Sequence, residues 1–493
     1  MTHRPSEPDA AGGISDGVTP ANHDAEAVAY YRDPDAEAGP LAAGAPEPSP
    51  ERSIPSVFQL AWPSIVTNLS QSLVGIVDMM IVGQVSVDAQ AAVGSGHRII
   101  FIGQAFIMAV TAGTTALVAR SWGARDHEEA ERVTHTSLIV CSAIAFVLAT
   151  VGVVFADALA ATFGLPAETT LRIAEYVRWL SVFYVGITIQ IVLGVSLRAT
   201  GDVITPLFIG VLTNVINVVL VYALVFGELP GIPLPVPAMG VKGAAIASGL
   251  AFTIGSFVML ALYIFGRLRI RPRIHAAFTI DRAKRLLDIG WPSGTEQLIF
   301  QGGFYVFILI VAQYGTAPVA AYTIGVQILS LSFVVGFAYS IAASTLVGQH
   351  LGAGDPQEAA AAGWRSMRLS IYSMIVLGIS IVVAAPFVAP FFNSDAEVVR
   401  LTIVFIYVLG LVQPLMAIEF SLTGALRGAG DTRWPLVSVM SGFIGVRLTL
   451  AMFFASQGLP VEWVYAALIG DYIVKTAILS TRFRRGKWQT VLS

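Results

Sequence analysis

The chain has 493 residues, of which 55% are hydrophobic and 12% charged, with a formal net charge of −3 and a mean hydropathy of +0.73. Soluble globular domains carry about 25% charged residues, so this composition excludes an ordinary water-soluble fold, and the near-neutral charge gives no footprint for a nucleic-acid partner. A single cysteine, Cys141, excludes an intramolecular disulfide and offers no thiolate metal cluster.

Residues 1–52 differ from the rest: ten acidic and three basic residues, many Ala, Pro, Gly and Ser, and no apolar period. Such a segment buries too little surface to offset its ordering entropy and reads as a disordered tail. It lacks the basic start and apolar core of a cleaved signal peptide. From residue 53 onward, apolar stretches of about 20 residues recur. They predict membrane-spanning helices at 57–84, 89–118, 133–155, 172–197, 203–226 and 240–266, then at 288–314, 318–347, 366–390, 400–426, 432–456 and 461–481. Helices are required because backbone amides in a bilayer must be satisfied without water, and the alternation of a membrane barrel is absent. The fold class is therefore an all-α membrane protein of twelve transmembrane helices, with lobes at 53–275 and 276–482 and a short tail at 483–493.

Loop charges set the topology. Connections after odd-numbered spans are nearly free of Lys and Arg, with Arg172, Lys242 and Arg400 at their edges, whereas even-numbered ones carry Arg120, Arg125, Arg132, Arg198, Arg365, Arg427 and Arg433. The central connection adds Arg267, Arg269, Arg271, Arg273, Arg282, Lys284 and Arg285. By the positive-inside rule both termini and the central loop are expected in the cytoplasm, of a prokaryotic plasma membrane.

The sequence repeats itself at an offset of 229: Trp62-Pro63-Ser64 returns as Trp291-Pro292-Ser293, Gly123-Ala124-Arg125-Asp126 as Gly352-Ala353-Gly354-Asp355, and Leu197-Arg198 through Gly201-Asp202 as Leu426-Arg427 through Gly430-Asp431. Each half holds six spans, so both enter the membrane in the same direction. The result is a parallel repeat of two homologous six-helix bundles, an arrangement that transporters use to alternate access to a site between the halves. No H-E-x-x-H or G-x-S-x-G motif supports an intramembrane enzyme. The repeated motifs read as structural corners, with glycine capping each helix, aspartate in the turn and the arginine held at the interface.

Ionisable groups inside spans are costly and are functional candidates. Asp78, in the first span with no basic residue one turn away, suits uptake of a proton or coordination of sodium, and a structural hydrogen-bonding role is the alternative. Asn214 and Asn217 share a face of the fifth span, where interhelical hydrogen bonding is the alternative. Glu296 with Gln297, and Glu419, stand in the seventh and tenth spans. Arg98 is placed to pair with Asp78, bind an anionic substrate, or simply snorkel. Asp471 and Lys475, four apart, are expected to neutralise one another, and Arg447 has no assignable partner. Tyr184, Phe304, Tyr305, Phe337, Tyr339 and Met416 are candidates for an adaptable apolar cavity.

The first-span pattern Trp62-Pro63 through Asp78, the two pairs of corners and Gly240-Val241-Lys242-Gly243 through Ser248 resemble the multidrug and toxic-compound extrusion (MATE) family over residues 55–488. The resemblance implies two bundles forming a V and export of drug-like, often cationic, compounds driven by entry of protons or sodium. It places the family's first-span acid on Asp78, its cation-site asparagine on Asn217 and a sixth-span hydroxyl on Ser248. It also implies coupling acids at Glu296 and Glu419, as in one branch of the family. Another branch has an acid four residues after the asparagine, where this chain has Val221. The expectation is a monomeric antiporter of small organic substrates, surrounded by membrane lipid and needing no cofactor beyond the coupling H⁺ or Na⁺. The cation contacts are Asp78, Asn214, Asn217, Ser248, Glu296 and Glu419, with sodium, if used, at Asp78 and Asn217. The substrate contacts are Gln297, Arg98, Tyr305 and Met416. A lipid or lipid-linked sugar flippase is the alternative and would require a strongly cationic cavity.

Overall fold

The computed structural model describes residues 55–229, 232–233, 237–272 and 278–492; the tail expected at 1–52 lies outside them. The described residues form one compact unit. The first half comprises α1 (Val57–Gly83), α2 (Val87–Gly123), α3 (His127–Val154), the short α4 (Ala156–Ala161), α5 (Ala167–Val182), α6 (Tyr184–Ala199), α7 (Ile204–Phe226) and α8 (Gly240–Ile264). A two-residue hairpin, Glu228–Leu229 against Ile232–Pro233, joins α7 to α8. The second half comprises α9 (Ile280–Ala312), α10 (Thr316–Gly352), α11 (Pro356–Phe392), α12 (Ala396–Gly428), α13 (Arg433–Val439), a π-helical segment Met440–Leu448, α14 (Thr449–Ser456) and α15 (Val461–Arg484). Among the described residues, eleven helical stretches are long and apolar enough to cross a membrane, and the pair α5–α6, bent by 55°, makes the twelfth.

Several helices outrun their apolar cores. Both α2 and α10 have 37 residues, about 55 Å at 1.5 Å per residue, against a hydrocarbon layer of roughly 30 Å. At several helix starts a side-chain cap, rather than hydropathy, marks the boundary. Asp126 and Asp355 accept from the Glu129 and Glu358 amides and start α3 and α11, while Ser56 and Gln59 form a reciprocal capping box on α1.

The fourth span is broken where the sequence predicts one helix. Phe183, at φ −92° and ψ 0°, leaves the helical path between α5 and α6. Its ring seats against Gly249 of α8, where any Cβ would overlap it. Packing of an aromatic ring on a glycine thus outweighs the continuity of the backbone ladder, a tertiary choice that apolar composition does not encode.

Glycine has a different role at the Gly-Ala-x-Asp corners from the capping one expected. The left-handed residues there are Arg125, at φ 59°, and Gly354, at φ 78°. Gly123 and Gly352 instead lie where α2 and α10 touch: a Cβ on Gly123 would overlap the Gln349 carbonyl, and one on Gly352 the Arg120 carbonyl. The Leu-Arg-x-x-Gly-Asp corners keep the expected left-handed glycines, Gly201 and Gly430. The halves are further stitched together at this end by Thr345 donating to the Arg198 carbonyl at 3.1 Å and Gln349 to the Ala199 carbonyl at 2.8 Å.

The entry helices cross between halves. The α1 residues Val57, Leu60 and Ala61 bury against Tyr339, Ala342 and Leu346 of α10. Symmetrically, Gly290 of α9 lies against the Ala109 carbonyl of α2, with no room for a side chain. Each half keeps its own apolar core, around Ile107, Val110 and Leu193 in the first and Phe307, Phe405 and Tyr465 in the second.

Candidate functional site

In the first bundle two polar rungs join α1 to α7. Asn217 Nδ2 donates to Asp78 Oδ2 at 2.8 Å, and Asn214 Nδ2 to Ser70 Oγ at 2.8 Å. Both asparagines are buried, at 1% and 5% exposure. Asp78 Oδ1 and Asn217 Oδ1 are buried without a hydrogen-bond partner. Two adjacent orphan oxygens form a donor set suited to a shared proton or a hard monovalent cation. Val221 is fully buried nearby on α7, so that side of the site is apolar. Ser248, half-buried on α8, makes no side-chain hydrogen bond among the described residues. Ser70, a partner that the sequence reading missed, could have been found as a hydroxyl two turns before Asp78 on the helix facing the asparagines.

Arg98 does not pair with Asp78. It is exposed on α2 and forms no ion pair among the described residues; the amide of Asn217 takes the place beside the carboxylate.

In the second bundle the acids meet bases instead. Glu296 on α9 is bound by Arg427 at 2.8 Å, so Arg427 reaches into the bundle rather than resting at the interface as expected for the corner. Lys475 Nζ lies 3.3 Å from Glu419 Oε1 and 3.2 Å from Asp471 Oδ1. The expected Asp471–Lys475 neutralisation is present, with Glu419 as an additional partner. Arg447, 2% exposed, lies 4.0 Å from Asp471 and over the rings of Phe307, Phe443 and Phe304 at 4.3, 4.8 and 5.4 Å. The signal for these partners was charge balance: Glu296, Glu419 and Asp471 in the second-half spans face Arg427, Arg447 and Lys475.

The substrate candidates separate. Gln297 is half-buried on α9 and Tyr305 is 65% exposed. Met416 is fully buried in the second core and offers no surface to a cavity; Tyr184 and Tyr339 are buried likewise. Their sulfur and aromatic character served packing, which residue type alone does not distinguish from cavity lining.

The MatE family profile matches residues 63–223 and again 292–453, once in each half. A Thermotoga maritima protein named probable multidrug resistance protein NorM is 28% identical over 451 residues, covering 89% of this chain and 95% of the relative. The multidrug resistance protein NorM of Burkholderia vietnamiensis is 25% identical over 88% of this chain and 95% of its own. A crystal structure of MATE in complex with MaL6 superimposes with a TM-score of 0.80 at 21% identity, covering 87% of this chain and 96% of the other. A mutant of the Vibrio cholerae MATE transporter VcmN gives 0.80 at 19% identity, covering 88% and 97%. The two profile matches begin 229 residues apart and end 230 apart. The π-helical segment Met440–Leu448, which lies within the second match, is the kind of element that absorbs one extra residue.

Proposed function

The chain belongs to the MatE family of membrane transporters, and on that premise we propose that it is a secondary antiporter exporting organic, often cationic, drug-like compounds in exchange for a cation bound at Asp78. The observation that carries this reading is the contrast among the intramembrane carboxylates. Glu296, Glu419 and Asp471 each meet a basic side chain, whereas Asp78 meets the neutral amide of Asn217 and no basic side chain among the described residues. A carboxylate held among apolar helices without a fixed counter-charge is the group that gains most from a mobile one. With Val221 beside it rather than a second acid, one proton or one sodium ion neutralises the site. The multidrug-resistance names of the NorM relatives support the substrate class.

Coupling follows from where α1 leads. The ion at Asp78 bears on the Asn217 contact and hence on how α1 lies against α7. The same helix contains Pro63, which interrupts its hydrogen-bond ladder, and it reaches the second half through Asn68 donating to the Val334 carbonyl at 3.4 Å. A ligand shifts a conformational equilibrium only through unequal affinity for its states, so the cation binds the outward-open and inward-open forms differently and thereby opposes substrate. The positive-inside rule, applied to the basic connections, supports a topology with both termini in the cytoplasm, and we read the working unit as a monomer. Flippase activity would need a strongly cationic cavity; Arg447 is engaged by Asp471 and three rings, which leaves Arg98 as the one intramembrane arginine of the two without an ion pair among the described residues and supports the antiporter.

The test uses vesicles containing the purified chain and an entrapped pH- or sodium-reporting dye. Addition of ethidium is expected to drive movement of one of the two cations, and Asp78→Asn to abolish it. Ethidium uptake with neither cation moving would refute antiport, and transbilayer movement of a fluorescent phospholipid would favour the flippase.

A further inference from the structure

Aligned by their repeat, the two bundles carry different chemistry at equivalent places. Asp78 corresponds to Phe307 at the 229 offset, and near the end of the π-helical segment, where the offset has become 230, Asn217 corresponds to Arg447. Both pairs touch: Asn217 hydrogen-bonds Asp78 at 2.8 Å, and Arg447 lies over the Phe307 ring at 4.3 Å. A second set of positions matches as well. Gln190 of α6 corresponds to Glu419, and Thr213 of α7 to Gly442. The last helix of each half ends in a left-handed glycine, Gly266 and Gly486, which sets Gly255 against Lys475. In the first bundle Gln190 Nε2 donates to Thr213 Oγ1 at 3.1 Å, and Gly255 has no room for a side chain beside that hydroxyl. In the second, the small residue has changed sides: a Cβ on Gly442 would lie 2.6 Å from Lys475 Cγ and 2.5 Å from Asp471 Oδ1. A neutral amide–hydroxyl pair has been exchanged for a lysine between two carboxylates.

We propose that Lys475 is a tethered cation occupying, between Glu419 and Asp471, the position a free monovalent cation would otherwise take, so that the second bundle binds no sodium while Lys475 is present. The geometry supports this in two ways. The ammonium stands at nearly equal distances, 3.3 and 3.2 Å, from one oxygen of each carboxylate. The network is also charge-balanced, since Glu419 and Asp471 face Lys475 and Arg447, all at 12% exposure or less. Removing the ammonium alone leaves two carboxylates facing one arginine, a net negative site with oxygen donors. The inference concerns binding in the second bundle and does not depend on which ion couples at Asp78.

It is tested on the full chain in detergent, in an Asp78→Asn background that removes the first-bundle carboxylate, by comparing Tm in NaCl and in choline chloride of equal ionic strength. Asp78→Asn is expected to show no sodium-specific shift. Asp78→Asn with Lys475→Met is expected to gain a sodium-specific rise in Tm, which the further change Glu419→Gln removes. A sodium-specific shift already present in Asp78→Asn and lost with Glu419→Gln would overturn the proposal, as would a folded Lys475→Met variant indifferent to sodium. Should Lys475→Met fold poorly, recovery of monodisperse protein in sodium but not choline supports the proposal. Failure in both salts counts against it, because sodium would restore the missing charge.

Discussion

Gly123 and Gly352 stand one repeat apart, and each faces the carbonyl of the residue equivalent to the other's partner, Gln349 for Gly123 and Arg120 for Gly352. The pair is a pseudo-twofold contact made by backbone against backbone, at the end where the basic connections lie. It closes the two halves on each other with no side chain between them.

Alanine at either position must therefore push α2 and α10 apart. Gly123→Ala and Gly352→Ala are each expected to lower Tm by similar amounts, because their surroundings are related by the repeat. Gly302→Ala, in α9 with open space around it, is the control and is expected to be neutral or to stabilise by about 0.5–1 kcal/mol through helix propensity. Equal tolerance of all three substitutions would mean that the crossing is looser than described.

The Glu296–Arg427 pair makes a second prediction. Its side chains are 14% and 20% exposed, so Arg427→Ala leaves a poorly solvated carboxylate alone. The expected destabilisation is toward the lower end of the roughly 3–5 kcal/mol seen when one partner of a buried pair is removed. Glu296→Gln combined with Arg427→Gln is expected to recover most of it in chemical unfolding. If the double variant is as unstable as the single, the pair is not what Arg427 contributes.

Asn217 and Asn214 look alike in sequence and differ in consequence. Asn217→Ala removes the donor to the Asp78 carboxylate, whereas Asn214→Ala removes a bond to the neutral Ser70 hydroxyl. Gradient-driven efflux is expected to fall further for Asn217→Ala. Adding it to Asp78→Asn is expected to cost nothing more, since residues acting through one contact are non-additive. Additive losses would separate the two residues' roles.

The sequence carried the spans, the parallel repeat and the pairing of Asp471 with Lys475, because each is written in hydropathy or in spacing along one helix. It also named Asp78 and Asn217 together as candidates for one cation, though not their direct hydrogen bond, since the α1–α7 register is a tertiary fact. What it could not carry depends on close approach across helices: the break at Phe183 seated on Gly249, the Gly123 and Gly352 crossing, and the reach of Arg427 to Glu296. That Arg98 does not pair with Asp78, one of the alternatives it offered, and that Met416 is buried were hidden for the same reason. An arginine's partner and a methionine's exposure depend on which face each helix turns inward, and along spans apolar on all sides no amphipathic stripe marks it.

The central claim, that Asp78 takes the coupling cation, is tested most directly by ethidium efflux from vesicles with a proton or a sodium gradient imposed separately. Wild type is expected to export against its gradient under one of the two and Asp78→Asn under neither, while Glu419→Gln keeps the ion preference of wild type. Undiminished gradient-driven export by a folded Asp78→Asn variant would contradict the account.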